Sequence, residues 1–306
     1  MTSKNDNKNQ IVTVIGGSGF IGSHVADQLS QEGFQVRIYD HIDSPWKKEG
    51  QEMIVGDLLD LDLLNKTVAG SHAVYNFAAL ADLNQAREKP VETVKTNILG
   101  NVQVLEACRK NKIKLFIYAS TVYVNSREGG FYRCSKQAAE QYVEEYRRAY
   151  GLDYVILRFG SLYGPRAGDS NGLLRVVRDS LEAGVVRYRG SADAFREYIH
   201  VEDAARASVV ALKGDFINQS VVLTGQEPMP VTDLLKMLAE ILGMPEKVEY
   251  IEEGQPDHYV RTPYAYQPKL GRKYMPPFHV DLGQGLLQLI DEVQNAREGE
   301  QRTPQK

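Results

Sequence analysis

The stretch Ile11-Val12-Thr13-Val14-Ile15-Gly16-Gly17-Ser18-Gly19-Phe20-Ile21-Gly22 decides the fold. Ile11–Ile15 is a short β-branched run that stops at glycines. Ile21, Val25 and Leu29 then recur at helical spacing, so the segment reads as strand, tight turn, helix. The same rhythm continues outward. Strands are expected at Val36–Tyr39, Met53–Val55, Ala73–Phe77, Leu115–Ala119 and Tyr154–Phe159, with helices at Leu61–Val68, Val91–Asn111 and Tyr132–Tyr150. Strands alternating with helices mean right-handed βαβ units and a parallel sheet covered on both faces. The expected class is therefore α/β, a doubly wound parallel sheet of the Rossmann type.

After Tyr163–Pro165 the alternation ends. A helix near Leu173–Ala183 and a Pro-punctuated tail from Glu227 to Pro277 suggest a smaller C-terminal α/β lobe that binds substrate. The expected division is 1–165 for the nucleotide-binding domain and 166–306 for the lobe. The segment 199–217, with its helix around Asp203–Leu212, is expected to return to the first domain. Ligands in such sheets bind in the crevice outside the carboxyl ends of the strands.

Composition narrows the function. The chain has 306 residues and a formal net charge of −4, which argues against nucleic acid or an anionic membrane as the main partner. Its 42% hydrophobic and 25% charged residues are those of an ordinary globular protein. The longest apolar runs fall well short of the roughly 18 residues of a membrane span. Met1–Gln10 is polar and lacks the apolar stretch of a signal peptide, and Cys108 and Cys134 are too few for a disulfide framework or a metal site. A reduced, cytoplasmic compartment and no metal are expected.

Gly16, Gly19 and Gly22 sit between the first strand and the first helix. Glycine there lets the backbone approach a pyrophosphate, whose charge the free N–H groups and the positive helix end stabilise. Asp40 ends the second strand about 20 residues on, where a carboxylate can accept hydrogen bonds from an adenosine ribose and repels a 2′-phosphate. Arg37 is the cation on that strand that could answer a phosphate, but no Lys or Arg directly follows Asp40, so NAD is favoured over NADP. Tyr132 and Lys136, at i and i+4, share one helix face. A lysine beside a phenol, with the positive nicotinamide near, favours phenolate, and tyrosine can then carry a hydroxyl proton while hydride moves. The pair follows Ala119-Ser120-Thr121 at a strand end, where a hydroxyl could share the reacting oxygen.

These residues resemble the extended short-chain dehydrogenases/reductases, above all the NAD-dependent nucleotide-sugar epimerases and dehydratases. The resemblance covers 11–292. It rests on the glycine turn, Gly56-Asp57-Leu58, Asn76-Phe77-Ala78-Ala79, Thr96-Asn97-Ile98-Leu99-Gly100, the Tyr132/Lys136 pair, Arg158-Phe159-Gly160-Ser161-Leu162-Tyr163-Gly164-Pro165-Arg166, and Arg196-Glu197-Tyr198-Ile199-His200-Val201-Glu202-Asp203. It implies NAD held through a catalytic cycle by Gly16, Gly19, Phe20, Ile21, Gly22 and Asp40, with Asp57 and Leu58 at the adenine. Phe77, Ala78 and Ala79 would run along the cofactor, Asn97 and Phe159 would also touch it, and Lys136 would hold the nicotinamide ribose. Ser161, Arg196 and Asp257 would bind substrate, Arg196 at the diphosphate of a sugar nucleotide. Relatives form homodimers through the helices equivalent to 91–111 and 132–150.

The chain departs from that pattern. Ser120-Thr121-Val122-Tyr123 lacks two residues that usually precede Val-Tyr, and Gly129-Gly130 replaces an acidic, proline-containing loop. Counting from the strand makes Thr121 the catalytic hydroxyl; counting back from Tyr123 would give Ala119. The strand count is adopted. No Asp-Glu pair follows Thr121, which disfavours dehydration, and Gly254-Gln255-Pro256-Asp257 lacks an arginine often found there. Cys134 reads as a packed helix residue, His200 as a structural histidine, and Tyr142, Tyr146 and Tyr150 as a packed stripe or a dimer surface. Arg196 could instead pair with Glu197 or Glu202. The favoured activity is 4-epimerisation of a UDP-hexose or related compound through a transient 4-keto sugar. The alternatives are a sugar-nucleotide 4-ketoreductase or dehydratase, and a catalytically silent dinucleotide-binding regulator.

Overall fold

The computed structural model describes residues 7–244, 248–251 and 258–264. All of them fall within one compact unit, Met1–Gln267. Along the chain run β1 (Ile11–Ile15), α1 (Phe20–Gln31), β2 (Gln35–Asp40), β3 (Glu52–Val55), α2 (Leu61–Val68) and β4 (Ser71–Asn76). The short helices α3 (Leu83–Glu88) and α4 (Pro90–Val94) lead into α5 (Asn101–Lys110), β5 (Leu115–Thr121), α6 (Gly130–Tyr150) and β6 (Asp153–Phe159). Then come β7 (Ser161–Tyr163), α7 (Gly172–Ala183), β8 (Val186–Arg189), β9 (Phe195–Arg196), β10 (Tyr198–His200), α8 (Val201–Val210), β11 (Gln219–Leu223), β12 (Met229–Pro230), α9 (Val231–Leu242) and β13 (Val248–Ile251).

The main sheet has seven strands in the order β11-β6-β5-β4-β1-β2-β3, all pairs parallel. Its central strands are buried on both faces, so they carry continuous apolar runs instead of alternation; β5 is buried at all seven positions. One face packs Val25 and Leu29 of α1 and Ala204 and Ala205 of α8 against Val12, Val14 and Tyr75. The other packs Leu64 of α2, Val104 and Leu105 of α5 and Ala139 and Val143 of α6 against Ile15, Phe116 and Ile156. Helices on both faces make the fold doubly wound, as expected.

Two expectations change. The segment that returns to the sheet runs past 217: β11 pairs with β6 from Gln219↔Val155 to Leu223↔Phe159 and forms an edge strand. The single helix expected over Val91–Asn111 is α4 and α5 joined by a wide-turn stretch, Lys95–Gly100, which accommodates the inward Asn97.

The smaller lobe has its own apolar cluster, with Val186, Tyr188 and Ala194 packed on Val231, Leu235 and Ala239 of α9. Small pairings build it: β8 with β13, and β9 with β12. At its start, Arg166 reaches back to Asp27 on α1 (2.8 Å), and His24 Nε2 meets the Pro165 carbonyl (3.0 Å). The lobe is thereby bolted to the helix that follows the glycine turn.

Tyr75 ties the layers internally, its buried hydroxyl donating to the Ser208 carbonyl of α8 (2.9 Å). Tyr75→Phe deletes that one hydrogen bond and little volume. Urea unfolding is expected to show a loss of about 1 kcal/mol with unchanged m-value.

Candidate active site

The cleft lies along the carboxyl ends of the strands and encloses about 760 Å³. Gly16, Gly19, Phe20, Ile21 and Gly22 line one end, Phe77, Ala79 and Phe159 the floor, and Thr121, Tyr132 and Lys136 the middle. Ser161 and Arg196 lie on the lobe side.

The glycine turn fits a dinucleotide. Gly16 has φ 77°, and a Cβ there would stand 2.5 Å from the Ala78 nitrogen. At Gly22 a Cβ would collide with the Gly16 carbonyl, so α1 seats against the turn only without one. Gly19 caps α1 with no side-chain hydrogen bond, and the first turn holds no acid. The helix thus offers free N–H groups and an uncancelled positive end, the donor set a pyrophosphate needs.

Asp40 is buried beside this turn. Its Oδ2 accepts from the Ser18 N–H (3.0 Å), and its Oδ1 meets both the N–H and the ring Nδ1 of His41 (2.8 Å each), which leaves a lone pair of Oδ2 for a ribose hydroxyl. Arg37 is withdrawn from the question: it donates to Glu52 (2.7 Å) and to the Thr67 and Ala69 carbonyls. No arginine is left on this strand to meet a 2′-phosphate.

Further expected contacts are placed less directly. Asp57 is exposed, accepting from the Leu59 N–H (2.8 Å), and Leu58 packs toward Gly100; both follow β3, whose end is tied to Asp40 through the Gly56 N–H (2.9 Å). Ala78 contributes its backbone at Gly16, not a side chain facing the cleft. Asn97 has a different task from the one expected: its amide is committed to the Leu80 N–H and carbonyl and to Ser135 (2.7, 3.0 and 2.9 Å), pinning the loop after β4 to α6. Asp257 lies outside the described residues.

The middle of the cleft is built by β5 and α6. Thr121 is the last residue of β5, in register with Phe159, and it lines the cleft beside Tyr132, whose phenol its hydroxyl favours in the ionised form. Of the two positions the counts allowed, Thr121 brings a hydroxyl to the cleft, whereas Ala119 offers its carbonyl to Lys136. The turn is closed by Gly129 (φ 90°), where a Cβ would press to 2.7 Å from the Tyr123 ring.

Lys136 is buried, donates to the Ala119 carbonyl (2.7 Å) and lies 4.7 Å over the Tyr118 ring. Its Nζ is 5.8 Å from the centre of the Tyr132 ring. Burial pushes Lys136 down to about 7, opposed by Glu140, and pushes the Tyr132 phenol well up, opposed by Thr121. The expected lowering of Tyr132 is thus absent in the protein alone; it needs a further positive charge in the cleft.

Arg196 pairs with neither Glu197 nor Glu202. Its guanidinium lies over the Tyr259 ring (5.0 Å) and one nitrogen donates to the Phe195 and Tyr259 carbonyls (3.0 and 2.8 Å). Those bonds leave its remaining N–H groups available to the cleft. Ser161 Oγ meets the Tyr259 hydroxyl at 3.4 Å, and Tyr123 O–H meets His258 Nδ1 at 2.7 Å. Tyr123, His258 and Tyr259 were not anticipated, because only the fold brings 258–260 over the β5 end.

Cys134 is exposed, not packed. His200 serves structure, its ring edge-on to Tyr163 (5.2 Å) and its side chain capping α8.

A glycine turn made for a dinucleotide and a Tyr/Lys/Thr cluster in one cleft agree with the chain's comparison to known families, where the family described as "NAD dependent epimerase/dehydratase family" matches residues 12–222. The chain belongs to that family. A putative UDP-glucose 4-epimerase of Methanocaldococcus jannaschii is 26% identical over 93% of this chain and 99% of its own length. A UDP-glucose 4-epimerase of Thermotoga maritima, solved with UDP-glucose, superposes with a TM-score of 0.76 at 27% identity, covering 84% of this chain and 90% of that one. The Thermus thermophilus UDP-glucose 4-epimerase, solved with NAD, superposes with a TM-score of 0.73 at 27% identity over 86% of this chain and 95% of that one.

The burial of Lys136 predicts how this family member responds to pH. An unfolded chain holds the Lys136 proton up to its ordinary 10.5, whereas the folded chain releases it above about 7. Between those values the unfolded state binds more protons, so stability rises with pH. Denaturant midpoints of the cofactor-free protein should climb from about pH 7 to about pH 9, above which the Cys108 thiol, held protonated by burial in the folded chain, ionises in the unfolded one and cancels the gain. Lys136→Met should remove most of that climb.

Proposed function

We propose that the protein is an NAD-dependent nucleotide-sugar 4-epimerase acting on a UDP-hexose or a related compound. The observation that carries the reading is that Thr121, Tyr132 and Lys136 line one cleft, with Arg196 on the lobe wall of the same space. A catalytically silent role would not require the shortened loop to keep Thr121 in the cleft with Tyr132 and Lys136.

Gly16, Gly19 and Gly22 would hold the pyrophosphate, Asp40 the adenosine ribose and Lys136 the nicotinamide ribose. NAD, when bound, supplies a hydride acceptor and donor, together with the positive charge that draws Tyr132 toward phenolate. Tyr132 Oη would take the proton of the sugar C4 hydroxyl as the C4 hydrogen leaves as hydride. Thr121 Oγ1 would hydrogen-bond the same sugar oxygen and hold it at Tyr132. Arg196 would keep the diphosphate anchored while the 4-keto sugar turns over, and Tyr132 would return the proton once hydride arrives on the opposite face. Net redox is zero.

The reaction needs no acid and base beyond these. Among the described residues, the carboxylates lining the cleft are Asp82 and Asp179, neither on the β5 to α6 segment that bears Thr121 and Tyr132. This is why 4-epimerisation is preferred to loss of water. We also infer a homodimer: Val91 and Val94 of α4, Leu99, and Tyr142 and Tyr150 of α6 leave large apolar side chains exposed on neighbouring helices.

The test is incubation of the purified protein with UDP-glucose, UDP-N-acetylglucosamine and dTDP-glucose. The reading expects one of them to equilibrate with its C4 epimer without build-up of reduced cofactor. A dehydrated product, or steady consumption of NADH by a keto sugar, would replace it with the dehydratase or reductase alternative. Tyr132→Phe should lower the epimerisation rate by roughly 10²–10⁴-fold while NAD affinity is kept.

A further inference from the structure

Arginines crowd the lobe wall of the cleft. Arg175, Arg187, Arg189 and Arg196 all line it. Arg187 is neutralised by Glu249 (2.9 Å) and Arg189 by Asp179 (3.3 Å). Arg196 meets carbonyl oxygens and an aromatic face, and no carboxylate. Arg175, half-buried on α7 just after the Asn171 cap, has no side-chain hydrogen bond or ion pair among the described residues.

Two guanidiniums in one wall are thus left without a counter-charge. A guanidinium cannot shed its proton, and like charges that share a concave, partly desolvated wall raise each other's cost. The wall therefore favours an anion with two charges.

We infer that Arg175 is a second diphosphate-binding residue, and that Arg175 and Arg196 hold the diphosphate of the nucleotide sugar between them. The inference rests on the nucleotide-sugar reading above and adds a residue to it. Each guanidinium presents a planar fork suited to phosphate oxygens. Arg175 stands on a regular helix whose start is fixed by the Asn171 side chain, which accepts from the Leu174 N–H (3.0 Å) and donates to the Leu162 carbonyl (2.8 Å). Leu162 lies in β7, beside Ser161, so the arginine is registered to the Ser161 wall of the cleft. Binding specificity follows: a nucleoside diphosphate engages both arginines, whereas a nucleoside monophosphate can satisfy only one.

Calorimetry with UDP, dTDP, GDP and CDP, and then with the monophosphate of whichever binds, tests this on the whole NAD-loaded protein. Arg175→Ala should weaken the diphosphate by roughly 10- to 100-fold and the monophosphate much less. NAD affinity should stay unchanged, which also certifies that the variant is folded. Arg175→Gln keeps the stem of the side chain and should show the same selective loss if the alanine variant is unstable. Equal diphosphate binding by parent and variant, or equal weakening of mono- and diphosphate, would overturn the role of Arg175 and leave the nucleotide-sugar reading standing. If the parent binds none of the four diphosphates, that reading fails and the role of Arg175 fails with it.

Discussion

A buried carboxylate beneath the cleft organises the chemistry above it. Glu140 on α6 takes a two-pronged contact from Arg158 (3.0 and 2.7 Å) and a short hydrogen bond from Ser120 (2.5 Å). Ser120 and Arg158 are register partners on β5 and β6, so one side chain locks two strands and a helix together. The next register pair is Thr121 and Phe159, both in the cleft. One and two helical turns back from Glu140 on the same face stand Lys136 and Tyr132. Clamping the carboxylate therefore sets the height of α6 against the strand ends, and with it the placing of Tyr132 beside Thr121. A buried ion pair of this kind adds little net stability but is costly to break, which suits a part whose value is position.

Charge is laid out along the cleft with the same economy. At one end the uncapped start of α1 and the Asp40 carboxylate suit a pyrophosphate beside a ribose. In the middle, a lysine made weakly basic by burial sits next to a phenol that holds its proton. At the lobe wall, two guanidiniums lack carboxylate partners among the described residues. The cleft is thus electrostatically incomplete as protein alone: its cationic ends call for anions, and the ionisation of Tyr132 depends on a charge the chain does not supply. Membership of an NAD-dependent family is consistent with each of these deficits.

Much of this was legible in the sequence because it is local. The β1 run, the glycine turn and the apolar spacing of α1 specify their conformations within a dozen residues, and Thr121 is identifiable as the end of β5 by counting along the strand. Features that depend on distant partners were not legible. Gln219–Leu223 is too short and too polar at its start to announce itself as a strand until β6 receives it. Asn97 was recognisable as a marked position, but its commitment to Leu80 and Ser135 needs the loop after β4 to fold over it. Glu140 is one of several acids on α6 and Arg175 one of several arginines around α7, and nothing local marks either, because burial and missing partners are properties of the assembled cleft. Cys134 shows the reverse error: its neighbours in sequence suggested packing, whereas the face of α6 it occupies is open.

The central claim, that hydride leaves C4 of a nucleotide sugar and returns to the same carbon from the other side, is most directly tested by isotope retention. UDP-glucose, or whichever nucleotide sugar proves to be the substrate, would be supplied with deuterium at C4 in ordinary water and the epimer examined by mass spectrometry and NMR. The account predicts full deuterium at C4 of the inverted product, with no exchange into solvent. Loss of the label to water, or its permanent transfer to cofactor released as NADH, would contradict it.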